Sequence, residues 1–490
     1  MNGAFRQSTG KTQARATSPS AVAGRMRVLP ARVPAMLGIA FLALVLAGDL
    51  TRVYLGWTHA RGWEYEQIAR NWADGKGYSF KGDERWLFDP SEPNDRTDPD
   101  GYYSTAWEEP IPTLLLGTFF WLFGEYGRLA MTTANALFFA ATLVVVYHLG
   151  RLIQGPWLGL ISAALLALIP TAHSLVKVYI GGSVLGGLLV SICALLLLWF
   201  LECISVRRGL LLGATIGVAA LTQAATIAFA PVAALLALFS AGPLTWTAWR
   251  SAGIIVAAAL LVISPWTLRN YAIFGELVLV RNGGGQIAYV GNRAFAETFE
   301  PGLVSADAPF APPWRARNIL HAVQLIDEIE NRRALDAYSR DTVRAIALDK
   351  YAEFNEAERD KAFMHHAVEF MRRYPLITLQ LSVVKTARFI YQRQHGWLHS
   401  IPTTIAGMLA VVGAAIGLRQ RRVRALGLMV LGYVAVYALT YPLFYRYRYP
   451  IEPLLTVLGG VAVAWVAQLG LRSRVARLLG CGAAGYTDPL

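Results

Sequence analysis

Three carboxylates stand where so apolar a chain can least support idle charge. Asp49 lies inside an apolar run over 33–55, and Glu64 and Glu66 follow in Gly62-Trp63-Glu64-Tyr65-Glu66-Gln67-Ile68-Ala69. A carboxylate set against a hydroxyl can remove its proton as a bond to the oxygen forms. An acid within a membrane-depth segment is costly and is therefore a functional suspect. Each also has a plainer reading: Glu64 as a solvated acid beside Arg61 or Arg70, Glu66 in that same role one step round the helix, and Asp49 as the partner of Arg52. Cations supply the complementary half. Arg446 and Arg448 stand two residues apart between apolar segments, Arg269 directly follows another, and Lys76 and Lys385 are weaker candidates. The planar guanidinium fork matches phosphate, whereas the plainer reading is snorkelling into lipid headgroups. The chemistry these types describe is proton removal opposite stabilisation of an anion.

The elements that must position them are membrane helices. Of 490 residues, 55% are hydrophobic and 16% charged, and the mean hydropathy is +0.40. Apolar segments near 33–55, 110–124, 128–150, 156–174, 181–204, 209–224, 226–240, 250–268, 400–418, 425–443 and 450–471 approach or reach the roughly 20 residues that cross a ~30 Å hydrocarbon core. The net charge of +13 does not gather on one soluble module, so it predicts positive-inside topology and no nucleic-acid partner. Cys193, Cys203 and Cys481 show neither zinc nor disulfide spacing. The organisation expected is a disordered cytoplasmic tail over 1–32 and a transmembrane catalytic module over 33–268 with a first outer loop at 56–109. A large outer-face region over 270–398, C-terminal membrane helices over 400–471 and a cytoplasmic tail over 472–490 follow.

Arg419, Arg421, Arg422 and Arg424 crowd one short gap, which places that gap inside and 270–398 outside. Counting back puts the gaps at Arg151 and at Arg207-Arg208 inside, and those near 171–180 and 222–226 outside. Parity then requires one segment not to cross, and 110–124, short and carrying Pro110 and Pro112, is expected to enter only partway. Residues 65, 68, 69 and 72 trace the apolar stripe of a helix lying on the outer surface, stopped by Gly75 and Gly77. Gly283-Gly284-Gly285 lacks the setting of a nucleotide loop and reads as a flexible turn. His365 and His366, adjacent on a helix, are expected to point apart and not to share a metal. Residues 356–394 read as an amphipathic helix returning to the membrane.

Four blocks, taken in order, resemble bacterial C-type (GT-C) membrane glycosyltransferases related to the protein O-mannosyltransferases of glycosyltransferase family 39. They are Gly62 to Ala69 with Gly75-Lys76-Gly77-Tyr78-Ser79; Thr105-Ala106-Trp107 with Pro110 and Phe123-Gly124; Pro265-Trp266-Thr267-Leu268-Arg269-Asn270-Tyr271 with Phe274-Gly275 and Gly291-Asn292; and Arg446-Tyr447-Arg448-Tyr449-Pro450-Ile451-Glu452-Pro453. The resemblance implies an all-α polytopic membrane protein, a GT-C-like helical bundle with an outer-face amphipathic helix and a small, mainly helical outer-face region. It implies transfer of a hexose or pentose from a polyprenyl-phosphate donor to a lipid, glycan or protein acceptor at the outer face of the cytoplasmic (inner) membrane. Glu64 matches the family's acidic position, with Asp49 and Glu66 as alternatives; Tyr65, Asn270 and Asn292 would shape the substrate site. Many relatives carry two acids before the tyrosine, or one near 171–180, where this chain has Arg61, Gly62, His173 and Lys177. That departure implies single displacement with inversion and no cofactor or metal. A transporter or flippase shares this hydropathy, but it should show repeats and mid-depth charges; a ligase moving a whole glycan lacks the Glu64 helix.

Overall fold

The computed structural model describes residues 32–60, 62, 64–81, 101–178, 181–241, 245–294, 354–390, 397–440 and 445–478. Most of the expected tails, residues 82–100 of the expected first outer loop and residues 295–353 lie outside the described residues.

The chain is a multi-pass membrane protein built almost wholly of helices. They are α1 (Arg32–Gly56), α2 (Glu64–Ala73), α3 (Pro110–Phe123), α4 (Gly127–Gln154), α5 (Pro156–Ala167), α6 (Pro170–Val178), α7 (Ser183–Glu202), α8 (Val206–Thr222), α9 (Phe229–Ala241) and α10 (Trp246–Phe274). After them come α11 (Gly284–Tyr289), α12 (Glu356–Arg373), α13 (Pro375–Ile390), α14 (Trp397–Ile416), α15 (Arg421–Thr440), the single turn α16 (Tyr445–Arg448) and α17 (Glu452–Leu478). Each expected apolar segment is largely helical over its described residues. Among the described residues six helices, counting α3 with α4 as one, are long and apolar enough to cross a membrane, or seven with the bent pair α5–α6; Ala224–Ser240 and Ser400–Ile416 are shorter apolar helices.

Two departures from a plain bundle have local causes. The segment expected as one crossing at 156–174 breaks by 62° between α5 and α6. Pro170 has no N–H to continue the ladder, and His173 Nε2 bonds the freed Ala167 carbonyl at 2.8 Å. The α3 helix has 14 residues, about 21 Å at 1.5 Å per residue and short of a crossing. Gly124, at φ 56°, then lets the chain double back, and Gly127 packs directly on the Phe120 backbone.

Small residues set the close helix approaches, as expected where lipid offers no hydrophobic drive between helices. Gly209, Gly213 and Gly217 form a stripe on α8 facing Ile255, Ala258, Ala259 and Val262 of α10. Gly413 of α14 lies against the Leu458 carbonyl of α17. The two ends of the bundle differ. Arg422, at the start of α15, bonds the Leu152 carbonyl and, at 2.7 Å, Glu202, so the three gaps expected on one side of the membrane do meet. The surface helix, the α3 start, the 222–226 turn and residues 278–292 gather at the opposite, loop-bearing end.

At that end α2 buries Tyr65, Ile68 and Ala69 of the expected stripe and leaves Trp72 exposed, and Gly75 and Gly77 turn the chain at φ 77° and 72°. An element the sequence did not announce follows: β1 (Ser79–Lys81) pairs antiparallel with β2 (Tyr102–Ser104). For the bundle, Gly213→Val, whose side chain would overlap the Ile255 carbonyl, is expected to destabilise by about 1–3 kcal/mol in thermal unfolding in lipid. Gly253→Ala, with open space around its Cβ, should match or exceed wild type.

Candidate active site

Glu108 and Glu109 close the loop ahead of α3. Glu109 occupies the N-cap position in extended conformation with Pro110 behind it, yet its side chain does not cap its own helix. It reaches across the end of the bundle instead. Its Oε1 accepts from the Ala224 amide at 3.1 Å, and its Oε2 accepts from the Tyr65 hydroxyl and, at 3.3 Å, from Arg281. Glu108 accepts from the same Arg281 Nη1 at 3.0 Å. Both carboxylates are buried, at 6% and 2% exposure. Such groups are tolerable only when paired and hydrogen-bonded.

Arg281 is delivered by a backbone splice. The Asn282 amide donates to the Ala106 carbonyl at 2.7 Å, laying 280–283 beside 105–107. Glu356, at the start of α12, fastens both strands by accepting from Thr105 Oγ1 at 2.7 Å, the Ala106 amide at 3.1 Å and Asn282 Nδ2 at 2.9 Å. Asp360, one turn on, accepts the Gly285 and Gln286 amides at 2.8 and 3.0 Å. Burial pushes the Asp360 carboxyl up to about 6. Gly283, at φ 94°, seats the turn against the Trp107 ring.

The electrostatics of Glu108 identify its neighbours. Burial is the main force raising its carboxyl to about 8; Arg281 opposes it, Glu109 and Glu64 add to it, and Arg446 opposes it again. Glu64 from α2, Glu108 from the α3 start and Arg446 from α16 therefore share one electrostatic centre. Arg281 itself is held above its ordinary value: burial works against its charge, but Glu108 and Glu109 outweigh burial. Arg446 donates to the Tyr447 hydroxyl at 2.8 Å with its guanidinium 4.9 Å from that ring. Tyr447 stacks with Tyr437, whose hydroxyl accepts from Gln223 at 3.0 Å.

Of the residues singled out in the sequence, Glu64, Tyr65 and Arg446 come together here. The others are engaged by partners of their own. Asp49 is 1% exposed and accepts from Arg52 at 2.9 Å, with His173 at 2.7 Å. Glu66 accepts from Arg70 at 3.0 Å and Arg128 at 2.8 Å, pinning α2 to α4. Arg448 is fully buried in an ion pair with Glu452 at 2.6 Å and donates to the Thr403 and Ile390 carbonyls. Arg269 donates to the Thr105 and Tyr78 carbonyls and lies 4.7 Å from the Trp266 ring, riveting α10 to the first loop. Asn270 ties the Val278 and Val280 carbonyls. Lys76 is exposed, 5.2 Å from the Tyr102 ring. Lys385 donates to Asn292 Oδ1 at 3.2 Å, and Asn292 donates to the Leu439 carbonyl at 2.7 Å. Burial lowers the Lys385 ammonium to about 7.

Sequence reading passed over Glu108, Glu109 and Arg281. Two adjacent acids directly before a proline-started apolar helix were the available signal.

No family model and no curated protein matches the chain. Among solved structures it is similar to the archaeal oligosaccharyltransferase AglB from Archaeoglobus fulgidus, solved in complex with an inhibitory peptide and a dolichol-phosphate. The identity is 14% and the TM-score 0.49, over 93% of this chain and 52% of that one, so the chain spans about half of AglB. It is also similar to ArnT from Cupriavidus metallidurans bound to undecaprenyl phosphate, at 15% identity and a TM-score of 0.36, over 88% of this chain and 77% of that one.

Arg281→Met would leave the buried Glu109 carboxylate without its cation beside Glu108, and thermal unfolding should show a loss of about 3–5 kcal/mol. Adding Glu109→Gln to that chain should recover part of the loss.

Proposed function

We propose that the chain is a membrane glycosyltransferase that moves a sugar from a polyprenyl-phosphate donor to a lipid, glycan or protein acceptor at the outer face of the cytoplasmic membrane. The observation that supports this most directly is the gathering of Glu64, Glu108 and Arg446, from three distant segments, at one end of a membrane bundle. The donor class follows from the four sequence blocks that resemble GT-C enzymes, which include Glu64, Tyr65 and Arg446.

A sugar linked to phosphate is already activated, so the site must orient a hydroxyl, remove its proton and stabilise the departing charge. Glu64, half-buried on the surface helix, takes the acceptor proton. The acceptor oxygen bonds the anomeric carbon as the carbon–oxygen bond to phosphate breaks, and the electron pair leaves on the phosphate. Arg446 stabilises that charge. Single displacement of this kind inverts the sugar carbon. Arg281 stands between Glu108 and Glu109, in the position a cation bridging them would take, so the proposal places no metal at this centre.

Glu108 sets the charge of the site. With its carboxyl raised to about 8, it holds a proton at neutral pH and loses it above. The added negative charge then opposes the developing phosphate charge, so the rate should fall as pH rises through about 8. Glu108→Gln should lack that fall. The functional test is transfer by purified protein in lipid, from radiolabelled polyprenyl-phosphate hexoses to a membrane extract. Glu64→Gln should lose about 10²–10⁴-fold while still binding donor. Undiminished transfer by that variant removes Glu64 as base, and no transfer from any donor by folded wild type favours a transporter.

A further inference from the structure

His365, His366 and Glu369 on α12 form a cluster that the carboxylate centre does not use. Adjacent residues on a helix diverge, but Glu369 lies three residues past His366 and four past His365. Both offsets place neighbours on one helix face, so a single carboxylate stands below two imidazoles. One donor atom from each of the three lies within 4.8 Å of the others. Contrary to the sequence expectation, the two histidines converge. His366 Nδ1 is 3.9 Å from Glu369 Oε2, too far for a hydrogen bond, and the two imidazole centroids are 6.0 Å apart.

We infer that His365, His366 and Glu369 bind a divalent cation of borderline softness, of the Zn²⁺ class. Two imidazoles and a carboxylate suit such an ion and leave a fourth position for water. Donors on one tetrahedral ion at bond lengths near 2.1 Å stand about 3.4 Å apart. His365 and Glu369 are exposed and can close the remaining distance by side-chain rotation, while His366 is half-buried with its ring edge-on to Tyr289, 6.4 Å between centroids. Among the described residues the ion pairs of Glu369 involve His366 alone, so binding would break no arginine or lysine bridge. The site lies on the helix that carries Glu356 and Asp360, and is separate from the Glu108–Arg281 centre. It does not depend on the glycosyltransferase reading.

The test is titration of full-length, tag-free, chelator-stripped protein in nanodiscs with Co²⁺, followed by competition with Zn²⁺. One equivalent should bind with visible bands of a four- or five-coordinate ion. Removing a direct ligand should cost at least the roughly tenfold that even an outer-shell change costs. His365→Ala and Glu369→Gln, both at exposed positions, should therefore weaken binding about tenfold or more with unchanged thermal unfolding of the metal-free protein. His366→Ala should do the same for the ion. Less than one equivalent in wild type, or affinity unchanged in His365→Ala or Glu369→Gln, overturns the inference.

Discussion

Two glutamates buried side by side at the start of a membrane helix need a cation, and much of the loop-bearing end answers that need. Arg281 supplies it, but only because residues 280–283 are spliced to 105–107 by the Asn282–Ala106 bond. That splice is in turn held by Glu356 from α12 and by Arg269 from the end of α10. The pairing of the two carboxylates with one guanidinium thus commits three distant segments to one arrangement. Removing any holder exposes the cost of an unpaired charge in an apolar setting.

The helices below give that arrangement a rigid base. A glycine stripe brings α8 onto α10, and Gly413 brings α14 onto α17, at backbone contact, so the loops at the far end inherit fixed anchor points. Charges buried within the bundle lie beside partners of their own. Arg448 pairs with Glu452, and Asp49 meets Arg52 and His173 through Oδ1, beside the break at Pro170, while its buried Oδ2 has no hydrogen-bond partner. The half-buried groups, Glu64 and Arg446, stand at the loop-bearing end.

Hydropathy made the helices legible, since crossing lipid requires long apolar runs whatever the tertiary contacts. The α2 helix was legible too, because its period and its two stopping glycines are local. The i,i+4 spacing of Arg448 and Glu452 was an equally local sign of an ion pair, and it outweighs the phosphate reading of Arg448. Glu108 and Glu109 were hidden because their burial is set by Arg281 and Ala224, more than a hundred residues away. The β1–β2 ribbon was hidden for a similar reason: each strand has three residues, too few for a pattern. His365 and His366 were expected to point apart because adjacent helix positions diverge, but Glu369, three and four residues on, is a neighbour common to both.

The measurement that bears most directly on this account is a structure of the chain in a lipid nanodisc with polyprenyl phosphate bound. The account predicts the phosphate against Arg446, with Glu64 and Glu108 beside it at the loop-bearing end. A phosphate lodged at Arg448 or Lys385, or at the opposite end near Arg422 and Glu202, would contradict it.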